Sequence, residues 1–418
     1  MKLLSKCLSG LFCAMIFLNG TSCLGAAEIE DDSKFQESLA NPSSSVNFAL
    51  KMKAGWNLGN TFDAYNNKDE MGYTLSAETC WGMPKTTRKM IQAVHKAGFS
   101  TIRIPVSWHG HLSNNPEDPY KIDSKWMARV KEVVNWAYNE GMYVILNIHH
   151  DNLSTAQGNG AGTINASGYN GNKLLGYVVD SGFKRQSKFF LKNVWEQICK
   201  NFNEEYDEHL IFELLNEPRN VGTADEWWVS NTTKLAEYNK ILLEYEQTCL
   251  DVIRASGNKN ATRYVMVTGY AANPQLTVDF TLPNDSANDK LLLSFHAYTP
   301  YKFAMWDQSN PNCTVFDKGC QGEIEWNYQQ LRQKFPTIGI VQGETSAENK
   351  DNLSERLKWA EFAFGQAYKK YKIASVLWDN NVPSPDSNHN GEHHGYFNRE
   401  KLEWYFPTLT QKMVEACK

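Results

Sequence analysis

Eight short apolar runs, rich in β-branched residues, recur along the chain: Met52 to Leu58, Thr101 to Trp108, Tyr143 to His150, Leu210 to Glu217, Arg263 to Tyr270, Leu291 to Tyr298, Thr337 to Glu344 and Ala374 to Asp379. Runs of this length and composition predict buried strands. Most are separated by stretches whose apolar positions return every three or four residues, at Thr86 to Ala97, Ser124 to Glu140, Lys184 to Asn203, Lys234 to Ala255, Glu323 to Lys334 and Asn352 to Tyr371, with a closing stretch from Trp404 to Ala416. That period predicts helices, and Gly98 and Gly141 fall where a helix should end before the next strand. Only Ala271 to Lys290 lacks the pattern of a long helix. Strand alternating with helix argues for a parallel sheet, and the near-continuous apolar runs require both of its faces to be covered. Eight such units predict one α/β domain, a single (β/α)8 TIM barrel with enlarged β→α loops over residues 46–418. The competing arrangement, a doubly wound open sheet, lacks a Gly-rich phosphate loop after its first strand.

The N-terminus reads differently. Lys2 and Lys6 precede a mostly apolar run from Leu8 to Leu18, followed by small residues at Gly20, Ser22, Gly25, Ala26 and Ala27. This order predicts an export signal over residues 1–26, and hence a secreted, extracellular protein. The run is shorter than the roughly 20 apolar residues a membrane span requires. Cys23 as a lipid acceptor is disfavoured by Gly20 three places earlier. Residues 27–45 form an acidic leader, either loose or a short packing helix. The formal charge of −5 becomes about −7 without Lys2 and Lys6, and no basic stripe is present, so neither nucleic acid nor a membrane is an expected partner. Of six cysteines beyond the signal, Cys313 and Cys320 lie close together in a polar stretch and are the candidate disulfide in an oxidising compartment.

Chemistry gathers where the runs end. In a barrel of this kind active sites are built at the C-terminal ends of the strands, and those ends carry Asn57, His149, His150, Asn216, Glu217, His296, Tyr298, Glu344, Trp378 and Asp379. In "ELLNEPRN", Pro218 cannot donate to a ladder and keeps Glu217 out of helical geometry, so the strand must stop and leave Glu217 at the rim. Glu344 closes another buried run in the same way. Two rim carboxylates suit glycosidic cleavage, which needs one protonated acid and one ionised group, roughly 5 to 5.5 Å apart in a retaining enzyme. Arg103, inside an apolar strand, is costly unless paired; it is the candidate cation for the ionised carboxylate, or else a structural partner of Glu213. Trp56, Trp81, Trp108, Trp227, Trp228, Trp306 and Trp378 fall mainly in or beside rim loops and predict a cleft lined by flat faces suited to sugar rings.

The ordered series Gly55-Trp56-Asn57-Leu58-Gly59-Asn60, Ile102-Arg103-Ile104-Pro105-Val106-Ser107-Trp108, Asn147-Ile148-His149-His150-Asp151, Leu215-Asn216-Glu217-Pro218-Arg219, Ser294-Phe295-His296-Ala297-Tyr298 and Gly343-Glu344 resembles glycoside hydrolase family 5. More narrowly, it resembles the subfamily 4 endo-β-1,4-glucanases and xyloglucanases, and Trp81-Gly82 belongs to the match. The resemblance implies a retaining double displacement with Glu217 as acid/base and Glu344 as nucleophile. Asn216 would hold the sugar 2-hydroxyl, and Arg103 and Tyr298 would orient Glu344 and keep it ionised. His149 and His296 would line the cleavage subsite, Trp378 would stack under the sugar, and His150, Asn57 and Trp81 complete the implied substrate-binding set. The chain departs from the pattern at Thr345-Ser346 and at Asn381, which bears on subsite shape.

The implied ligand is a β-1,4-glucan, as polymer or oligosaccharide: cellulose or mixed-linkage β-glucan first, xyloglucan next, then xylan or glucomannan. No cofactor or metal is expected, and the expected state is a monomer. A metal-dependent hydrolase using His149-His150-Asp151 is a rival, disfavoured because neighbouring strand residues point to opposite faces. A non-catalytic carbohydrate-binding protein would need to have lost one of the two carboxylates.

Overall fold

The computed structural model describes residues 32–65, 75–113, 115, 117–154, 169–170, 173–305, 313–384 and 392–418. The expected export segment, residues 1–26, lies outside them. Asp32–Ala40 is a helix within the leader, and a second helix, Ser44–Met52, starts at the leader's last two residues and runs on into the barrel domain. The second is capped by Ser43, whose hydroxyl accepts the Val46 amide at 3.2 Å.

Eight strands, β1 (Ala54–Asn57), β2 (Thr101–Ile104), β3 (Tyr143–Asn147), β4 (Leu210–Glu213), β5 (Val265–Thr268), β6 (Leu291–His296), β7 (Gly339–Thr345) and β8 (Ile373–Leu377), pair in parallel and close into a barrel through β8 and β1. Most stop short of the apolar runs that predicted them: β4 is paired only to Glu213, so Asn216 and Glu217 stand free of the ladder. The helices between strands, Arg88–Lys96, Ser124–Asn139, Lys184–Asn201, Thr232–Ala255, Lys318–Lys334 and Leu353–Gly365, are followed by a closing Pro407–Ala416. The gap from Ala271 to Lys290 holds only short helical turns, Tyr270–Ala272 at its start and Pro274–Thr277. Gly98 and Gly141 do end helices, at φ +103° and +80°, where a Cβ would be strained.

The barrel interior changes character along its axis. At the N-terminal end Ile145, Ile211, Met266, Leu292, Val341, Ala374 and Val376 pack with Phe48, Ala49 and Met52 of the Ser44–Met52 helix. Phe48 stacks on Tyr264 with ring centroids 3.6 Å apart. This helix therefore seals the bottom of the barrel. Further along β2 to β6 the inward positions are polar, with Arg103, Asn147, Glu213, Thr268 and Ser294 all fully buried. Burial of so many polar groups requires that they satisfy one another, and the network they form supports the layer above.

One irregularity decides what that layer contains. With Val341 facing inward, strict alternation along β7 would send Glu344 outward toward the helices. The register instead shifts by one residue against both neighbours: Gln342 pairs with Phe295 and Glu344 with His296, while Gln342 pairs with Ser375 and Thr345 with Leu377. Gly343 is the extra residue of this β-bulge, and the bulge turns Glu344 into the barrel mouth. A Cβ at Gly343 would lie 2.9 Å from both His296 Nε2 and Ser294 Oγ, so any larger residue would displace those side chains.

The expected Cys313–Cys320 bridge is not formed; both are free thiols. Cys320 is drawn into the first turn of Lys318–Lys334, where its amide is capped by Asp317 at 2.9 Å and its buried thiol faces the Val315 carbonyl at 3.7 Å. Among the described residues no helix is long and apolar enough to cross a membrane.

Candidate active site

Arg103 is the hub of the site. Its Nε donates to Glu213 at 2.7 Å, Nη1 to Glu344 at 2.7 Å and to Asn57 Oδ1 at 3.0 Å, and Nη2 to Asn216 Oδ1 at 2.7 Å. The two sequence-level readings of this residue are thus both realised, since one guanidinium neutralises Glu213 below and Glu344 above. Only the planar fork of arginine reaches four partners in fixed directions. Glu213 also accepts Asn147 Nδ2 at 2.9 Å and Ser294 Oγ at 2.8 Å, which anchors the hub to β3 and β6. Asn57 is fully buried and spends its amide on the Gly343 and Leu377 carbonyls at 2.9 and 3.2 Å. This corrects its assignment as a sugar ligand: it fastens the β7 bulge to β8. Arg103, also fully buried, likewise acts through its partners rather than on a sugar.

Glu344 receives Arg103 on Oε1 and the Tyr298 hydroxyl on Oε2 at 2.8 Å. Burial and the neighbouring Glu344 charge push the Tyr298 phenol well above its ordinary range, so it remains a donor. His296 stands between the two carboxylates, with Nδ1 2.8 Å from Glu217 Oε1 and 3.7 Å from Glu344 Oε1. One oxygen of each carboxylate comes within 4.8 Å of the other. Burial alone would raise Glu217, but the hydrogen bond and charge of His296, with Arg219 and His150, outweigh it and hold its pKa below the usual value. Burial opposes the charge on His296, yet the Glu344 and Glu217 carboxylates raise its pKa. The two shifts run in opposite directions across one 2.8 Å contact, each group favouring the charged form of the other.

The opposite wall is aromatic. The rings of His149 and Trp378 are parallel at a centroid separation of 6.0 Å. Trp81 packs against Tyr65 and His150 and donates its indole N–H to the Tyr65 carbonyl at 3.0 Å. Burial holds His149 well below its ordinary range and His150 at about 3. The pleat argument against joint action of these histidines fails, because both follow the last paired residue, Asn147. Their rings sit 4.4 Å apart, and each, with Asp63, offers one atom to a common group within 4.8 Å. Asp63 is already bound by the Asn60 and Thr61 amides at 3.0 and 2.7 Å, and burial raises its carboxyl to about 7, which suits a loop anchor better than a metal ligand. Asp151 belongs elsewhere, accepting the Trp108 amide at 2.9 Å.

The tryptophans divide. Trp56 and Trp108 are fully buried, with indole N–H groups on Asp379 Oδ2 at 2.8 Å and the Asn147 carbonyl at 2.9 Å, so they are core and not platforms. Trp227 and Trp228 are each 41% exposed, and Trp306 lies outside the described residues. Three supporting groups escaped the sequence reading: Asn147, Ser294 and Arg219. Asn147 and Ser294 carried a signal, each being a polar residue at an inward position of an apolar strand. Arg219 carried one too, directly following Glu217-Pro218.

The family model described as Cellulase (glycosyl hydrolase family 5) matches residues 65–384. Endoglucanase B of Ruminococcus albus is 38% identical over 377 residues, covering 88% of this chain and 79% of the relative. Among solved structures, a GH5 family lichenase from Caldicellulosiruptor sp. F32 superposes with a TM-score of 0.78 at 35% identity, covering 90% of this chain and 96% of that one. A GH5-4 broad specificity endoglucanase from Ruminococcus champanellensis with bound cellotriose gives a TM-score of 0.76 at 35% identity, covering 88% and 98%.

Proposed function

Because the chain belongs to glycoside hydrolase family 5 and is an endo-1,4-β-glucanase, we propose that it cleaves internal β-1,4-glucosidic bonds of cellulose or mixed-linkage β-glucan with retention at the anomeric carbon. The observation that carries this reading is that one oxygen of each carboxylate lies within 4.8 Å of the other, with His296 Nδ1 in the same group of atoms. An inverting enzyme needs room for a water molecule and a separation of roughly 6.5 to 9.5 Å, whereas a retaining one needs about 5 to 5.5 Å. Glu344, charged beside Arg103 and steadied by Tyr298, attacks the anomeric carbon. Glu217 delivers a proton to the departing oxygen. That proton is drawn from His296 across the 2.8 Å contact as the leaving oxygen gains charge. Glu217 then takes a proton from water as the water oxygen bonds the anomeric carbon and the bond to Glu344 breaks, and that proton passes back to His296 across the same contact. Asn216 keeps Nδ2 for the sugar, since its Oδ1 is committed to Arg103, and Trp378 with His149 stacks on the ring being cleaved.

A 2-deoxy-2-fluoro-β-cellobiosyl fluoride should inactivate the enzyme and label the peptide carrying Glu344. Label on another residue, or first-formed α-anomer by proton NMR, overturns the reading. Linear β-glucan is the proposed substrate class, which the lichenase and broad-specificity descriptions of the two solved relatives support; product profiles on carboxymethylcellulose, mixed-linkage β-glucan, xyloglucan, xylan and glucomannan test it. Export rests on Lys2, Lys6 and the Leu8 to Leu18 run. N-terminal sequencing of culture-supernatant protein tests that.

A further inference from the structure

The loop that follows β4 carries a contact the mechanism above does not use. Arg219 lies with its guanidinium carbon 3.9 Å from the centroid of the Trp227 ring. In its own plane the same guanidinium donates from Nε to Glu226 Oε1 at 3.2 Å and from Nη1 to the Glu217 carbonyl at 2.9 Å, and Nη1 is 3.7 Å from Glu217 Oε2. The other Glu226 oxygen takes the Gly222 amide at 2.9 Å, and the Arg219 amide is held by Asn152 Oδ1 at 2.7 Å. Only a guanidinium therefore separates the indole from the carboxylate that serves the leaving group. Arginine can stack with its face while bonding with its edge, which a lysine cannot do. The stack covers one face of Trp227 and leaves 41% of the residue exposed, far more than Trp56 or Trp108.

Barrel order supplies the direction. In the closed sheet β4 stands diametrically across from β8, whose end carries Trp378. A glucan lying across the mouth with its cleaved sugar on Trp378 runs past Glu217 toward the β4 loop. We propose that the free face of Trp227 is the platform for the glucosyl residue on the leaving-group side, and that Arg219 is a positioning residue holding this ring and Glu217 as one rigid unit. The proposal rests on Glu217 being the acid. A ring fixed beforehand loses little rotamer freedom when the sugar arrives, so more of the stacking energy appears as binding.

The test compares cellotetraose, which fills both sides of the bond, with β-cellobiosyl fluoride, whose leaving group carries no ring. Trp227→Ala should lower kcat/KM on cellotetraose about tenfold more than on the fluoride, and Trp227→Phe should recover most of that difference. Arg219→Lys should show the same selective loss, and combining it with Trp227→Ala should add little, because the two act as a unit. Equal losses on the two substrates overturn the platform, and losses that multiply in the double variant overturn the role of Arg219. Failure of the unaltered enzyme to cleave even the fluoride would instead remove the catalytic pair on which the proposal stands.

Discussion

Replacing Arg103 by methionine tests the centre of the structure. The change keeps an apolar stem of similar length but strips the charge from between Glu213 and Glu344 and removes donors to Asn57 and Asn216. Breaking a buried ion pair by deleting one partner costs about 3 to 5 kcal/mol, because the surviving charge has no solvent to turn to. With roughly 2 cal/mol/K of unfolding entropy per residue, a domain of this size should lose about 5 °C in Tm. Activity should fall further than stability, about a hundredfold to a thousandfold in kcat for a lost preorganised cation. Calorimetry and cellotetraose turnover on the folded protein measure the two effects. Adding Glu213→Gln removes the stranded charge yet keeps an acceptor for Asn147 and Ser294, so Arg103→Met with Glu213→Gln should melt above Arg103→Met alone while remaining inactive. A single variant melting within about 1 °C of the unaltered protein, or a double variant melting lower still, would refute the hub.

Three further outcomes follow. His296 has a raised pKa and Glu217 a lowered one, so the imidazole's contribution to stability is full below its ordinary 6.5 and fades as pH rises through its folded value. The Glu217 contribution is present above 4.5 and lost as pH falls through its lowered value. His296→Asn should thus lower Tm more at pH 6 than at pH 9, and a uniform loss would contradict the pairing. Asp63, raised to about 7, keeps its proton in the folded state while the unfolded chain ionises, so it weakens the fold as pH rises from about 4 to 7. Asp63→Asn should flatten that decline in urea titrations across the range. Phe48→Ala opens a cavity at the sealed end of the barrel and should cost about 3 to 5 kcal/mol, with kcat of the folded protein unchanged because the site lies at the other end.

The periodicity of apolar positions was enough to place all eight strands and most helices, since a strand or helix that buries one face must repeat with its own geometry. It also located Glu217, because Pro218 ends pairing by local chemistry alone. Three things were decided elsewhere. Glu344 faces the site only because Gly343 is inserted against both β6 and β8, and a register is a relation between strands that no single run contains. Trp56 and Trp108 look like their rim counterparts in sequence and are buried by what packs over them. His296 is raised and Glu217 lowered because two carboxylates, one from the loop after β4 and one from β7, meet the imidazole in space, where the low dielectric makes their charges count. Local pattern therefore determined the parts and their order, while the direction in which each side chain points, and the charge it carries there, waited on contacts between residues far apart in the chain.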